Sequence, residues 1–220
     1  MRSMLCLPLV AVAVLAALAQ APATRETDTS GWTDLLADKS LRGWTRLAIP
    51  PTAPLNEVSP WKFDGSSGTL VCEGDKAGHE WLRYDREFGN FVLHVEWAFT
   101  KVAGEPRYNS GVFVRNSADA VIWHQAQTGS ASGGYIFGDT LVGGVKQRIN
   151  LRDQMKEQRV RPAGEWNTFE IRAEGKTLTL SVNGAPTSEW TGCEVPRGFV
   201  GLEAEGFRIE FRNVRVKELP

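Results

Sequence analysis

From Phe91 to Phe99 the chain alternates without a break. Phe91, Leu93, Val95, Trp97 and Phe99 fall on one side, and Val92, His94, Glu96 and Ala98 on the other. That period of two belongs to a strand with one buried face. Shorter segments behave similarly: Gly111–Arg115, Val121–Gln127, Asn167–Ala173, Thr177–Gly184, Gly198–Ala204 and Phe207–Leu219. The "EGK" and "NGAP" stretches between them have the chemistry of tight turns. No window carries a capped helical repeat, and "GWTDLLAD" reads at most as a turn. The pattern predicts an all-β chain folded as a two-sheet sandwich, and its size suits a jelly roll. Long connections interrupt it after Trp44, before Ser110 and over most of 129–165. Loops of that length in a compact domain usually serve function.

The alternation also sorts side chains by face. In Gly111–Arg115, Val112 and Val114 suit the core, which turns Phe113 and Arg115 outward. In Val121–Gln127, Ile122 and Ala126 suit the core, so Trp123, Gln125 and Gln127 point outward together and His124 falls on the core side. With His94 and Glu96 these form an outward group of aromatic, amide, guanidinium and carboxylate side chains. Rings cover the apolar face of a pyranose, and amides and guanidinium bind its hydroxyls. An ordinary solvated outer face is the plainer alternative. Glu203 and Glu205 share one face of a strand and so point the same way, which argues against a glycosidase pair flanking a bond. His79 reads as a surface-loop residue. The cations from Lys146 to Arg161, diluted by Asp153 and Glu157, read as a solvated hairpin or loop face.

The first 19 residues change the picture of where the protein works. Arg2 is followed by an apolar run from Met4 to Ala19, with small residues at Ala17 and Ala19, the pattern of a cleaved signal peptide. The run is short for a bilayer span. The expected organisation is a signal peptide over 1–19, a polar linker over 20–31 and a single domain over 32–220, in the periplasm or outside the cell. The whole chain of 220 residues has 25 basic and 26 acidic residues. Loss of Arg2 with the leader leaves 24 basic residues against 26 acidic, net −2. Such a balance gives no reason to expect nucleic acid or an anionic membrane as partner. Cys72 and Cys193 remain in an exported chain, either as a disulfide or as two buried thiols. Their spacing is not that of a metal site.

Several stretches then carry a family likeness when taken in order: "GWTDLLADKSLRGWTRL", "WKFDGSSGTLVCEG", "FGNFVLHVEWAF", "NSGVFVR", "PAGEWNTFEIRAEGKTLTLSVNG" and "GFVGLEAEGFRIEFRNVRVKEL". Together, over Gly31 to Leu219, they resemble the domain of unknown function 1080 family, described as 3-keto-disaccharide hydrolases or 3-keto-glucoside lyases and hydratases. The resemblance implies a concanavalin A-like jelly roll in an exported protein acting on carbohydrate. Its pattern maps onto Glu96 and Trp97, and onto Asn109, Ser110, Gly111 and Arg115. Many members have Glu-x-Gln where this chain has Gln125-Ala126-Gln127. A glutamine is no general base, so a mechanism resting on that glutamate does not transfer.

The implied chemistry begins with a ketone at sugar C3, which acidifies the C2 proton. A base removes that proton, an enolate develops, and the C1 substituent leaves. On this reading Glu96 is the expected base, with His124 as the alternative. Asn109, Arg115, Gln125, Gln127 and Tyr135 bind hydroxyls or the oxyanion, and Trp123 stacks. A carboxylate beside Arg115 would be a weaker base, which counts against Glu96. No cofactor is expected from the sequence, although a divalent metal polarising the ketone fits the chemistry. No nucleotide or flavin fingerprint is visible, so a separate oxidoreductase would have to make the keto group. A lectin-like module that binds glycan without turnover is the second function class.

Overall fold

The computed structural model describes residues 30–74 and 78–220. The expected leader, and the expected linker up to residue 29, lie outside the described residues. Fifteen strands are present among those described: β1 (Trp32–Asp34), β2 (Trp44–Ala48), β3 (Trp61–Asp64), β4 (Thr69–Glu73) and β5 (His79–Phe88). They continue as β6 (Phe91–Phe99), β7 (Gly111–Asn116), β8 (Trp123–Gln127), β9 (Ile136–Val142) and β10 (Val145–Asn150). The last five are β11 (Asn167–Glu174), β12 (Thr177–Val182), β13 (Ala185–Trp190), β14 (Gly198–Glu205) and β15 (Arg208–Glu218).

They form two antiparallel sheets. The back sheet runs β13-β12-β11-β6-β15-β4-β3, with β1 added on β15. The front sheet runs β10-β9-β8-β7-β14-β5-β2. In the front sheet β7 to β10 are neighbours in chain order, whereas β14, β5 and β2 join by crossovers from distant parts of the chain, as in a jelly roll, and Gly31–Pro220 form one unit.

The core lies between the sheets and follows the alternation. The five large apolar residues of β6 all enter it, as do Val112 and Val114 from β7 and Ala126 from β8. Trp97 meets Phe169 edge-on at 5.2 Å and Phe99 at 5.6 Å, the favoured geometry for buried rings. Truncating a ring so placed costs about 3–5 kcal/mol. The β12–β13 turn is set by Asn183 and Gly184, whose φ values of +49° and +87° are those of a tight hairpin turn. Cys72 and Cys193 are both buried and are not joined to each other.

Two sequence expectations need correction. The stretch 129–165 is not one long connection, because β9 and β10 form a hairpin within it. Most of β10 is exposed, so it lacks the apolar alternation that announces a strand. The expected outward group also does not share one surface. β6 belongs to the back sheet and β8 to the front sheet, so their outer faces lie on opposite sides of the sandwich.

Candidate functional site

The outer face of the front sheet holds a cleft of about 530 Å³, within the range of sites for small ligands. Its floor comes from alternate residues of adjacent strands: Trp123, Gln125 and Gln127 of β8, Phe113 of β7, Glu203 and Glu205 of β14, and His79 and Trp81 of β5. Phe137 and Asp139 of β9 and Lys146 and Arg148 of β10 extend it to the sheet edge. Ile49, Pro50 and Pro51, after β2, form part of the wall at the other side. Asn109 comes from the loop entering β7.

Glu203 is the centre of this face. It is 3% exposed in a strand whose other residues, Glu205 apart, are glycine or apolar. Its Oε1 lies 2.9 Å from His79 Nε2, and its Oε2 accepts from Gln125 Nε2. Burial pushes the Glu203 carboxyl up, and the nearby Glu205 charge adds to that. The bonds from His79 and Gln125 oppose it but do not cancel it. Burial lowers the pKa of His79, yet its bond to Glu203 and the charges of Glu203 and Glu205 outweigh burial and raise it overall. The His79 side chain is 38% exposed, so the imidazole is the part of this dyad open to the cleft. No partner is found for its Nδ1 among the described residues.

Register explains how these groups meet. Glu205 is paired with His79 and Glu203 with Trp81 across β14 and β5, so His79 reaches Glu203 diagonally. Gln125 lies beyond β7, and its amide crosses Gly111 to reach Glu203. A Cβ at residue 111 would stand 1.8 Å from Gln125 Nε2, so only glycine leaves that path open. Gly201 does the same for Trp81, whose ring carbon would sit 2.5 Å from a Cβ there.

The remaining surface is aromatic and amide. Trp123 stands edge-on to Phe137 at 5.0 Å and to Phe113 at 6.2 Å. Gln127 donates to Asn109 Oδ1 at 2.8 Å and to the Ser110 and Thr128 carbonyls at 3.1 and 3.0 Å. At the edge, Asp139 accepts from Arg148 Nε, and Lys146 Nζ lies 3.5 Å from it. A cation could find ligands at the other end. His79, Glu203 and Glu205 each offer one ligand atom, all within 4.8 Å of one another.

Of the residues singled out by sequence, Asn109, Trp123, Gln125 and Gln127 line this cleft. Tyr135 packs on Phe137 at 6.0 Å and is not among the lining residues. Three others lie elsewhere. Glu96 is on the back sheet, where it accepts from Arg212 Nε at 2.7 Å and Asn213 Nδ2 at 2.6 Å. His124 is fully buried on the core face of β8, bonded to the Val114 carbonyl and, at 2.8 Å, to Thr140 Oγ1. Arg115 was expected outward but is fully buried, because its φ of +50° breaks the alternation at the end of β7. It donates to the carbonyls of Gly89 and Gly175 at 2.9 and 2.7 Å, tying two turns together. Sequence reasoning weighed His79, Glu203, Glu205, Lys146 and Arg148 and set them aside, as a loop residue, a non-catalytic pair and a solvated face. The signal available for Glu203 was a carboxylate two residues inside the end of a largely apolar strand, with Glu205 on the same face.

Solved structures of other proteins share this architecture. A Parabacteroides distasonis structure provisionally named a glycosyl hydrolase superposes with a TM-score of 0.62 at 16% identity, covering 90% of this chain and 98% of its own. The carbohydrate-binding module CBM66 from Bacillus subtilis gives 0.57 at 16% identity over 80% of this chain and 96% of its own. The β-glucanase of Bacillus licheniformis gives 0.54 at 12% identity over 87% and 100%. At such identities these likenesses speak for the jelly-roll fold. In sequence, a 3-keto-disaccharide hydrolase of Bacteroides thetaiotaomicron is 25% identical over 239 residues, spanning 87% of this chain and 80% of that protein. The model of the 3-keto-alpha-glucoside-1,2-lyase-like domain matches residues 31–217, and the chain belongs to that family.

Proposed function

We propose that this chain is an exported carbohydrate-active enzyme that cleaves 3-keto-glycosides in the front-sheet cleft. The observation that carries the reading is the His79–Glu203 pair on the floor of an aromatic and amide-lined cleft. Glu203 accepts the Nε2 proton of His79 and so fixes the tautomer that leaves the Nδ1 lone pair as base. His79 takes the C2 proton of the oxidised ring. The C–H electrons form the C2–C3 enolate, whose return expels the C1 substituent; the leaving oxygen takes a proton from solvent water, and His79 returns its proton to the hydroxide so formed. The products are a 3-keto-2-hydroxy-glucal and the free leaving group, and water addition to the glucal completes hydrolysis. Gln127, Asn109 and Gln125 supply the polar contacts and Trp123 the apolar wall. The keto group comes from a separate oxidoreductase acting first.

The test is incubation of the purified protein with 3-keto-glucosides, with and without EDTA, following aglycone release and enone absorbance. Release that is lost in His79→Ala supports the reading. Sensitivity to EDTA would reassign His79, Glu203 and Glu205 as ligands to a divalent cation that polarises the ketone. Glycan binding with no release from any 3-keto-sugar would replace the enzyme with a lectin-like module.

A further inference from the structure

Charge is distributed unevenly along the cleft. At one end stand Glu203, Glu205 and His79. At the other, on the β9–β10 hairpin, Lys146 and Arg148 converge on the single carboxylate of Asp139. Two cations against one carboxylate leave one positive charge in excess. Arg148 spends Nε and Nη2 on Asp139, so its Nη1 hydrogens, and those of Lys146 not turned to Asp139, remain available. The side chains of Lys146 and Arg148 are 50% and 59% exposed. No other carboxylate among the lining residues faces them.

The hairpin holds these cations at a fixed place. Arg148, Asp139 and Trp123 are paired in register across β10, β9 and β8, and the Arg148 guanidinium lies 5.1 Å from the Trp123 ring centre. Glu194 accepts from the Gly143 and Gly144 amides at 2.9 and 3.0 Å, which pins the turn without placing its charge in the cleft.

We propose that this end is a subsite for a leaving group that carries a carboxylate, with Lys146 and Arg148 as specificity-determining residues. The idea rests on the reading that the cleft binds glycosides. Orientation follows from the charges. An acidic leaving group is repelled by Glu203 and Glu205 and drawn to the hairpin, which sets the ring to be deprotonated against His79.

The test needs no turnover. Phenyl and 4-carboxyphenyl glucosides, unoxidised and in both anomers, are titrated into the protein at low salt while tryptophan fluorescence is followed. The carboxylated compound is expected to bind about tenfold more tightly, the effect of one well-placed charge near a surface. That preference should vanish at 0.5 M NaCl and in the Lys146→Gln/Arg148→Gln double variant, and Lys146→Glu should reverse it. Equal affinities at low salt, a preference that survives the double variant, or no binding of either compound would overturn the proposal. Failure of 3-keto-glucosides to release their aglycone, by contrast, would sink the catalytic reading and leave this charge preference standing.

Discussion

Glu96 and Glu203 are both strand glutamates, one on each outer face of the sandwich, and their surroundings push them in opposite directions. Burial raises the Glu96 carboxyl, but the bonds from Asn213 and Arg212 outweigh it and hold the group below its ordinary range. Glu203 is more deeply buried, has no guanidinium partner among the described residues, and is raised. The back-sheet glutamate resembles its neighbours there: Glu174 meets Arg172, and Glu73 and Glu210 both meet Arg208. Such pairs near solvent contribute little to stability. A carboxylate buried against a histidine and an amide costs stability, and shifted carboxyls of that kind concentrate at working sites. The lesson is that the type of residue on an outer face says less than the partner it is given.

The sharpest way to break this contrast is catalytic. His79→Ala and Glu203→Gln are each expected to lower turnover of a 3-keto-glucoside by about 10²–10⁴-fold, the usual contribution of a positioned base. Glu96→Gln should leave turnover within about twofold. The reverse result would move the site to the back sheet. The pH profile sharpens the same point. Because His79 must be neutral to accept a proton and its pKa is raised above 6.5, kcat/KM should climb with pH through a value above 6.5. An acid limb below that value would exclude His79.

A smaller effect concerns the histidine of the core. Burial lowers the pKa of His124 from 6.5 to about 4. Unfolded, this group takes up a proton as pH falls through 6.5, while folded it stays neutral until about 4. Stability is therefore full above that window and is lost as pH drops through it, by roughly 3 kcal/mol in total. Urea denaturation at stepped pH should show this loss, and His124→Gln should flatten it. Gly111→Ala comes next, since the added methyl must displace the Gln125 amide. The expected cost is about 1–3 kcal/mol for an abandoned buried acceptor, with unchanged β content by circular dichroism. The smallest effect is Glu96→Gln on stability, below about 1 kcal/mol in the same denaturation assay.

Much of the fold was legible because burial on one face writes itself into the sequence. The β6 alternation and the outward Trp123, Gln125 and Gln127 needed no coordinates. β10 was invisible because a strand exposed on both faces has no pattern to show. The His79–Glu203 pair was illegible for a different reason. The two residues are 124 positions apart, and only the register of β5 against β14 brings them together. Arg115 defeated the alternation because a left-handed residue at a strand end turns its side chain to the other face. Nothing in the neighbouring residue types announces that.

β10 closes the front sheet, so one side of its backbone has no neighbouring strand among those described. An open row of amides and carbonyls invites another chain to add to it, and charged side chains on an edge oppose that. Lys146 and Arg148 stand on this edge and so guard the sheet against edge-to-edge aggregation. Neutralising both is expected to make the protein more prone to self-association as its concentration rises.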